Sequence, residues 1–446
     1  MNTSISNSVH TPIIVEIPGE LDELSQASQK LETAYSNIFN KIHRFPASLR
    51  SLDGDYIVPR MVSIGAYHHG RPELQGMEEI KKAAAHHFCR DSGHSPEAVY
   101  EKVLAVAGDA RSCYTDGGAA GALEGDDFAS MMLRDGCFLL QLVLWFLQDC
   151  SGDGKRGPPP FTCQVNSLAL LRDLFLLENQ IPWAVLEALM ACRAAVFPAA
   201  LCEFVVYMGK FFQLHTDTDL LAKPLDLDGG YRPAHLLALL HFHQSGGSST
   251  TEELRLRGLR SLPPVVTNAV DFAEMGIKLA PSKTAEFRDM ALTQGLLFPE
   301  LSMPPLYLAE LTASWLVNMA AFEASTGVPH GATSGEYTVS SYLTLLSALM
   351  DREEDVRELC AKRLVQSELT DGRTLAFFKG GLTSYAYVND RYMAILSQIA
   401  GYRRRRRLWI AVHKFVYTNF RTIVTLLSVV SVLVGLFKAL LSLSKA

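Results

Sequence analysis

The 446-residue sequence lacks the short motifs that most often mark a catalytic site. It contains no Gly-x-Ser-x-Gly elbow, no phosphate-loop lysine motif and no His-Glu-x-x-His zinc motif. Residues 152–157 match the dinucleotide glycine pattern, but they follow an apolar helical run and lead into three prolines. A phosphate site of that kind needs a strand before it and a helix after it. The sequence therefore predicts neither a cofactor nor an enzymatic activity.

Paired cysteines and a secretory signal are also missing. None of the eight cysteines forms a Cys-x-x-Cys pair, and Cys137 and Cys202 fall inside apolar runs, as buried reduced thiols do. Residues 1–16 have neither a basic start nor an apolar core. Both absences favour a protein body that faces the cytosol.

Acidic residues are absent from the C-terminal end of the chain. From Arg403 onward there are nine Lys and Arg residues and no Asp or Glu. Residues 1–402 therefore hold the other 32 basic residues against all 47 acidic ones, which gives a net charge of −15. Because phosphate backbones need a positive surface, the acidic body argues against nucleic acid as a general partner.

A dense apolar stretch spans Leu168–Met190. Its first half has apolar residues on nearly every helical face, which is typical of a buried helix. Pro182 cannot continue that helix, but it can begin a second one. The sequence predicts a helix, a sharp break and a helix. The side chains of Glu178, Asn179 and Gln180 are expected to pair with the backbone groups that the break leaves unsatisfied.

Helical periodicity dominates the rest of the sequence, so the predicted fold class is mainly α: a multi-helix globular body with minor short β-strands. Alternation typical of strands is found in residues 277–298, and residues 56–66 are expected to form a strand or a buried loop. Near the start of the body, Glu78 and Lys82 are spaced to pair on the outer face of a helix.

End signals and composition divide the chain into segments. Ser95 before Pro96 marks a helix start, and Gly276 marks a helix end. The predicted organisation is a polar N-terminal segment (1–43), a helical body (44–401) with mobile loops at 116–125, 150–164 and 244–264, and a basic and apolar tail (402–446).

The tail predicts a single transmembrane helix. Residues 423–437 carry no charge, and residues 439–443 extend the apolar run past Lys438, whose long side chain can reach the membrane interface. A bilayer core of about 30 Å needs roughly 20 apolar residues, so the run is a short but sufficient anchor. The predicted anchor residues are Ile423, Val424, Leu426, Leu427, Val429, Val430, Val432, Leu433, Val434, Leu436 and Phe437.

Basic residues on the N-terminal flank of this run predict its orientation. Seven cations stand before it, against Lys438 and Lys445 at its end, so the body is expected to stay in the cytosol. The seven are Arg403, Arg404, Arg405, Arg406, Arg407, Lys414 and Arg421. Anionic lipid is a natural partner for such a run. Three other interpretations remain open: peripheral binding of the tail as an amphipathic helix, nuclear import by the arginines, and burial of the apolar helix against protein.

Histidines cluster near the start of the body, at His68, His69, His86, His87 and His94. Neighbouring histidines of a helix point to different faces, and no cysteine or paired carboxylate stands at a supporting spacing. The pattern favours solvated or core histidines, and no metal site is predicted.

Three motifs in this order resemble the plant domain-of-unknown-function family 247 (DUF247). They are Val62–Gly70, with Ala66 where a proline is usual; Met132–Gln141, with Gln141 where a glutamate is usual; and the Leu-Leu-Glu-Asn-Gln-Ile-Pro sequence of residues 176–182. The motif residues, taken as structural, are Gly65, Tyr67, His68, His69, Gly70, Asp135, Gly136, Glu178, Asn179, Gln180 and Pro182. The resemblance implies a hydrophobic C-terminal helix and, for some grass members, a pollen-side role in self-incompatibility; it implies no catalytic residues.

Together these observations predict a non-enzymatic, membrane-anchored plant protein that acts by protein–protein recognition or signalling. Its partner is an unknown protein, and both a homo-oligomer and a hetero-oligomer are compatible with the sequence. One alternative is an enzyme with an unrecognised site near His68, His69 and residues 178–180. Another is a soluble nuclear regulator that uses Arg403–Arg407 for import. The tail separates the leading hypothesis from the second alternative.

Overall fold

The computed structural model describes residues 38–49, 54–115, 117–150, 167–213, 224–225, 227, 231–246, 268–295, 298–326, 337–380 and 388–443. By contact density the chain divides into Met1–Asn40 and Lys41–Ala446. In the first unit the described residues, Ile38–Asn40, form a 3-10 turn. The predicted loops at 150–164 and 244–264 lie almost wholly outside the described residues.

The second unit is mainly helical, as predicted, with a few short strands. Its α-helices are α1 (Glu78–Ser92), α2 (Pro96–Ser112), α3 (Gly117–Gly121), α4 (Gly125–Cys150), α5 (Ser167–Leu174), α6 (Trp183–Met190), α7 (Phe197–Lys210), α8 (Leu236–Gln244), α9 (Ala269–Met275), α10 (Glu310–Thr326), α11 (Thr338–Leu349), α12 (Glu353–Ala361), α13 (Asp371–Lys379), α14 (Asp390–Arg405), α15 (Arg407–Thr418) and α16 (Phe420–Leu443). Its strands are β1 (Lys278–Pro281), β2 (Ala291–Gln294), β3 (Pro299–Met303), β4 (Leu306–Leu308) and β5 (Val365–Ser367).

The strands form two small sheets among the described residues. In the first, β3 lies between β1, to which it is parallel, and β2, to which it is antiparallel. This sheet contains the strands predicted within residues 277–298. In the second sheet, β4 pairs in parallel with β5, with Leu306 opposite Val365. Three-residue strands beside helices leave little alternation in the sequence, and this sheet was not predicted.

One hydrophobic core joins the helices of the body, and α10 is buried along nearly its whole length. Trp315 on α10 is fully buried, and its ring packs edge-on against Phe175, with ring centroids 4.9 Å apart. Its indole N–H donates to the Leu171 carbonyl at 3.3 Å. Helix α4 packs against α1, α2, α6 and α7 on the other side of the core. The break between α5 and α6 is thus enclosed by helices.

Local signals at the helix ends behave as the sequence predicts. The Ser95 hydroxyl accepts a hydrogen bond from the Ala98 N–H at the start of α2, with Pro96 in the first helical position. Gly276 ends α9 in the left-handed conformation, with φ +77°. These ends depend only on neighbouring residues, which is why they are visible in the sequence.

Two local predictions are corrected by the structure, and one open alternative is decided. The predicted loop at 116–125 contains the short helix α3, at residues 117–121. Residues 56–66 contain no strand, and residues 62–66 lie in a buried loop, which was the other expectation. Glu78 pairs with Lys81, whereas Lys82 pairs with Glu79.

Candidate functional site: a buried polar network and an exposed apolar tail

The break between α5 and α6 is held by side-chain amides. Helix α5 ends at Leu174, earlier than its apolar pattern suggested, and Gln180 Nε2 donates to the carbonyls of Leu174 and Leu176, both at 2.8 Å. Asn179 Nδ2 donates to the Asp173 carbonyl at 2.9 Å. Pro182 then caps α6, so Trp183 is its first residue. The amides satisfy the carbonyls that a broken helix leaves unpaired, as predicted.

The same amides also connect the break to distant segments. Asn179 Oδ1 accepts from the Ile64 N–H at 2.7 Å, and its Nδ2 also donates to the Val62 carbonyl at 3.0 Å. Gln180 Oε1 accepts from the Leu237 N–H, at the start of α8, at 3.1 Å. Both side chains are only 1% exposed. Residues 62–64 therefore find hydrogen bonds here that a strand would have obtained from a sheet.

Glu178, which was expected to pair with the break, instead binds the residues that precede this loop. Its Oε1 accepts from the Phe45 N–H at 2.7 Å, and its Oε2 accepts from Arg44 Nη1 at 3.1 Å. The Arg44 guanidinium also lies over the Tyr67 ring, 3.9 Å from its centroid. The carboxylate is thus engaged by a backbone donor and a cation, and it is 7% exposed.

Asp173 gathers three consecutive backbone N–H groups. Its carboxylate accepts from Arg60, Met61 and Val62 at distances between 2.6 and 3.1 Å, and from Arg172 Nη1 at 2.7 Å. Burial raises the pKa of Asp173, while these donors oppose that effect without cancelling it. The carboxylate works as an anchor for a loop that has no sheet partner.

A buried ion pair fixes the other side of the loop. Lys81 is fully buried, and its Nζ lies 2.8 Å from Asp135 Oδ1 and 2.6 Å from Glu78 Oε1. Burial lowers the pKa of Lys81, but attraction and hydrogen bonds to Asp135 and Glu78 outweigh it, so the pKa is raised overall. Asp135 Oδ2 accepts from the Gly65 N–H at 2.8 Å.

The network brings together residues from all three sequence motifs. Gly65, Asp135 and Asn179 lie within one chain of hydrogen bonds, together with Gln180, whose carbonyl accepts from the Tyr114 hydroxyl at 2.9 Å. Tyr67 donates its hydroxyl proton to the Ile42 carbonyl at 3.0 Å. Gly136 lies on α4, where a Cβ would meet Leu189 Cδ1 of α6 at 2.4 Å. The close packing of these two helices explains why glycine occupies this position. Gly70 is exposed.

Four polar residues of the network were missed by the sequence analysis. Asp173, Lys81, Asn318 and Tyr114 are all nearly or fully buried. Asn318 accepts from the Leu177 N–H at 2.8 Å and donates to the Tyr56 carbonyl at 2.9 Å. A signal existed for Lys81, because it shares the helical stripe of Met77, Ala84 and Phe88.

Two histidines are buried as neutral rings. Burial, aided by nearby Arg71 and Arg44, lowers the pKa of His68 to about 3. Burial also lowers the pKa of His235 to about 3. His235 Nδ1 accepts from the Ala238 N–H at 3.2 Å and so caps α8. Neutral rings in these places serve packing and capping.

A serine, a histidine and a glutamate meet elsewhere in the body. His241 Nε2 lies 2.7 Å from Glu323 Oε1 and 3.4 Å from Ser245 Oγ. A catalytic triad needs the two ring nitrogens to serve different partners, whereas here one nitrogen faces both groups. Glu323 also accepts from the N–H groups of Val339 and Ser340, both at 2.8 Å. The arrangement anchors the start of α11.

The histidines that cluster in the sequence differ in exposure in the structure. His68 is buried, His69 is half-buried and His86 is exposed on α1. Within the described ranges, no three His, Cys, Asp or Glu side chains are placed to hold a metal ion.

The C-terminal helix has no cover within the described structure. Among the described residues, two helices are long and apolar enough to cross a membrane, at Gly125–Gln148 and Phe420–Lys438. In the first, 56% of the most apolar window is buried in the body; in the second, none is. The predicted anchor residues lie on α16, and all are exposed except Ile423, which is half-buried.

The predicted basic residues lie before the uncharged apolar run of this helix. Arg403, Arg404 and Arg405 end α14, Arg406 joins it to α15, and Arg407 begins α15; all five are exposed. Arg421 stands in the first turn of α16. Lys414 is engaged by the body, with its Nζ 2.6 Å from Glu274 Oε2.

The chain thus has a helical body, in which residues of the three sequence motifs form a buried polar network, and an exposed apolar C-terminal helix. A family model for a plant protein of unknown function, DUF247, matches residues 42–434. Since that match covers most of the sequence, the chain belongs to the DUF247 family.

Two Arabidopsis thaliana proteins are similar to this chain. The UPF0481 protein At3g47200 is 26% identical over 358 residues, which cover 73% of this chain and 68% of the relative. The putative UPF0481 protein At3g02645 is 27% identical over 176 residues, which cover 39% of this chain and 30% of the relative. No solved structure matches the chain.

Proposed function

We propose that this chain is a membrane-anchored protein whose helical body stays on the cytosolic side and acts by binding another protein, without catalysis. The observation that carries the anchor is the uncovered apolar surface of α16. Such a surface is unfavourable in water. The 24-residue helix is about 36 Å long, enough for a bilayer core of about 30 Å.

The charges flanking α16 support the cytosolic orientation. Arg403–Arg407 are exposed immediately before α15, and Arg421 begins α16. Cations on this flank favour keeping it in the cytosol. They also favour contact with anionic lipid, at about 1 kcal/mol for each basic residue near the surface.

Protein binding is the second half of the proposal. His68 and residues 178–180, around which the enzyme alternative places its site, are buried, and Glu178 and Asn179 form hydrogen bonds that hold the fold. A recognition role places the variable contacts on surface loops instead. Self-incompatibility, which the resemblance implies for some grass members, is one form of such recognition. Exchange of segments 150–164 and 244–264 between alleles tests it, and unchanged compatibility would contradict it.

Arginines placed in the middle of α16 should release the protein from membranes. In the full chain we expect Val429→Arg, Val432→Arg and Leu433→Arg together to move the protein from the carbonate-resistant pellet to the soluble fraction. Each arginine opposes insertion by about 2.5–3.5 kcal/mol at a helix centre. A tag fused after Ala446 should be protected from protease in the parent and digested in the variant.

The matched control places an arginine on an apolar position of the body. Leu104 on α2 is 42% exposed, so Leu104→Arg should leave the protein in the carbonate-resistant pellet. Retention of the triple variant in the pellet would contradict the anchor. Extraction of the parent itself would favour a soluble protein, and nuclear accumulation dependent on Arg403–Arg407 would identify the import alternative.

A further inference from the structure

Helix α15 is held against the body by one side only. His413 Nδ1 lies 2.9 Å from the Glu274 carbonyl oxygen on α9, and Lys414 forms its ion pair with the same residue. The His413 ring packs edge-on against Phe298, with centroids 5.2 Å apart. Ile410, on the same side, packs against the hydrophobic core. This docked side accounts for the position of α15.

The opposite side of α15 is apolar and uncovered. Leu408, Val412 and Phe415 are 86%, 58% and 63% exposed, respectively. Their spacing of four and three residues places them in one stripe along the helix. Trp409 and Val416 widen this stripe, at 39% and 42% exposed. A soluble helix would carry polar side chains on such a face.

We propose that α15 lies flat in the interface of a lipid bilayer, with the stripe of Leu408, Val412 and Phe415 in the acyl region and the docked side on the body. The inference rests on the proposed anchoring by α16. It adds a second, in-plane membrane contact and therefore an orientation of the body.

Continuity with α16 identifies lipid as the occupant. Asn419 alone separates the two helices, and its backbone angles, φ −104° and ψ 15°, interrupt the regular helix at that residue. Phe415 is only five residues before Phe420, where the exposed apolar helix begins, so at the helical rise of 1.5 Å per residue the two are at most about 7.5 Å apart along the chain. A bilayer that receives α16 is therefore within reach of the stripe.

Charge at the other end of α15 fits the same occupant. Arg403–Arg407 are exposed where α14 meets α15, and lipid phosphates lie at the depth of an in-plane helix. Amphipathic helices of this kind bury their apolar face by about 5–10 Å at the boundary between headgroups and acyl chains. Because α9 binds the docked side of α15, the body is held close to the membrane through α15. It therefore does not rotate freely about α16.

Quenching of an introduced tryptophan by brominated lipid tests this position. The full chain is reconstituted in phosphatidylcholine and phosphatidylserine vesicles whose phosphatidylcholine has brominated acyl chains. The background is Trp409→Phe, which retains Trp145, Trp183 and Trp315 of the body. Val412→Trp is the probe and Leu104→Trp is the control; both positions are exposed, so neither change disturbs packing.

We expect the added fluorescence of Val412→Trp to be quenched by brominated lipid at least about twofold more than that of Leu104→Trp, and to be less accessible to aqueous iodide. Equal quenching of the two probes, in protein that floats with the vesicles and resists carbonate, overturns the in-plane position while α16 remains an anchor. Shielding from both quenchers shows that a protein surface, including a second copy of this chain, covers the stripe, and also overturns it. Protein that fails to float removes the proposed function and this inference together.

Discussion

Replacement of Gly65 with alanine is expected to destabilise the folded protein by about 3–5 kcal/mol. Gly65 has a φ of +80°, a conformation in which a side chain costs about 1–2 kcal/mol. A Cβ at this position would also lie 2.1 Å from the Gln180 carbonyl oxygen and 2.5 Å from the Tyr114 hydroxyl. The first of these atoms is backbone, so relief requires movement of the break segment itself.

Gly70 provides the matched control for this substitution. Its φ is +78°, but a Cβ there would have nothing within 4 Å. Gly70→Ala should therefore show the backbone cost alone, about 1–2 kcal/mol. Urea unfolding of the full chain in detergent, followed by tryptophan fluorescence, measures both variants. Similar losses in the two variants would contradict the close approach of Gly65 to Gln180.

Removal of the Lys81 ammonium should destabilise the protein by about 3–5 kcal/mol at neutral pH. Lys81→Met leaves the carboxylate of Asp135, which is 1% exposed, without its cation. The methionine fills most of the space, so the loss reports the uncompensated charge and not a large cavity. Urea unfolding of the full chain in detergent at neutral pH, followed by tryptophan fluorescence, measures the loss.

Two companion variants separate charge from packing. Lys82→Met removes the neighbouring cation, which is 55% exposed and pairs with Glu79, and should change stability by less than about 0.5 kcal/mol. Lys81→Met combined with Asp135→Asn removes both charges and keeps an acceptor for the Gly65 N–H. The double variant should recover at least about half of the loss. A double variant no more stable than Lys81→Met would show that packing, and not charge, is responsible.

The sequence predicted what depends on neighbouring residues. The order of helix, break and helix follows from the apolar periodicity and Pro182, although the first helix ends at Leu174, well before the proline. The roles of Asn179 and Gln180 follow from the carbonyls that such a break leaves free. The C-terminal apolar helix is visible from composition alone. These features need no knowledge of which segments meet in space.

The partners of the network could not be predicted in the same way. The donors to Asp173 lie 111 to 113 residues away, and Asn318 binds Leu177 from a distance of 141 residues. Single-sequence patterns carry no information on such pairings. The prediction of a Glu78–Lys82 pair was wrong for a related reason. Helical spacing allows Glu78 to pair with Lys81 or Lys82 equally, and the burial of Lys81 beside Asp135 decides between them.

The resemblance to DUF247 and the geometry agree on what the motifs contribute. Gly65, Asp135 and Asn179 come from three separate motifs, and each holds a hydrogen bond to the buried loop or provides its close approach. The motif residues that meet at the buried loop thus hold that loop in place against the helices of the body. The functional differences between family members are then expected on surfaces and on the tail.

The hydrogen bonds to Asp173 can form only late in the synthesis of the chain. The N–H groups of Arg60, Met61 and Val62 find their acceptor only after more than 110 further residues have been made. Until then the emerging loop has no native partner for these donors, and loop closure over that length is slow compared with helix formation. Nascent chains paused before residue 173 should therefore be targets for chaperones, whereas chains extended through α10 should resist protease at residues 56–66.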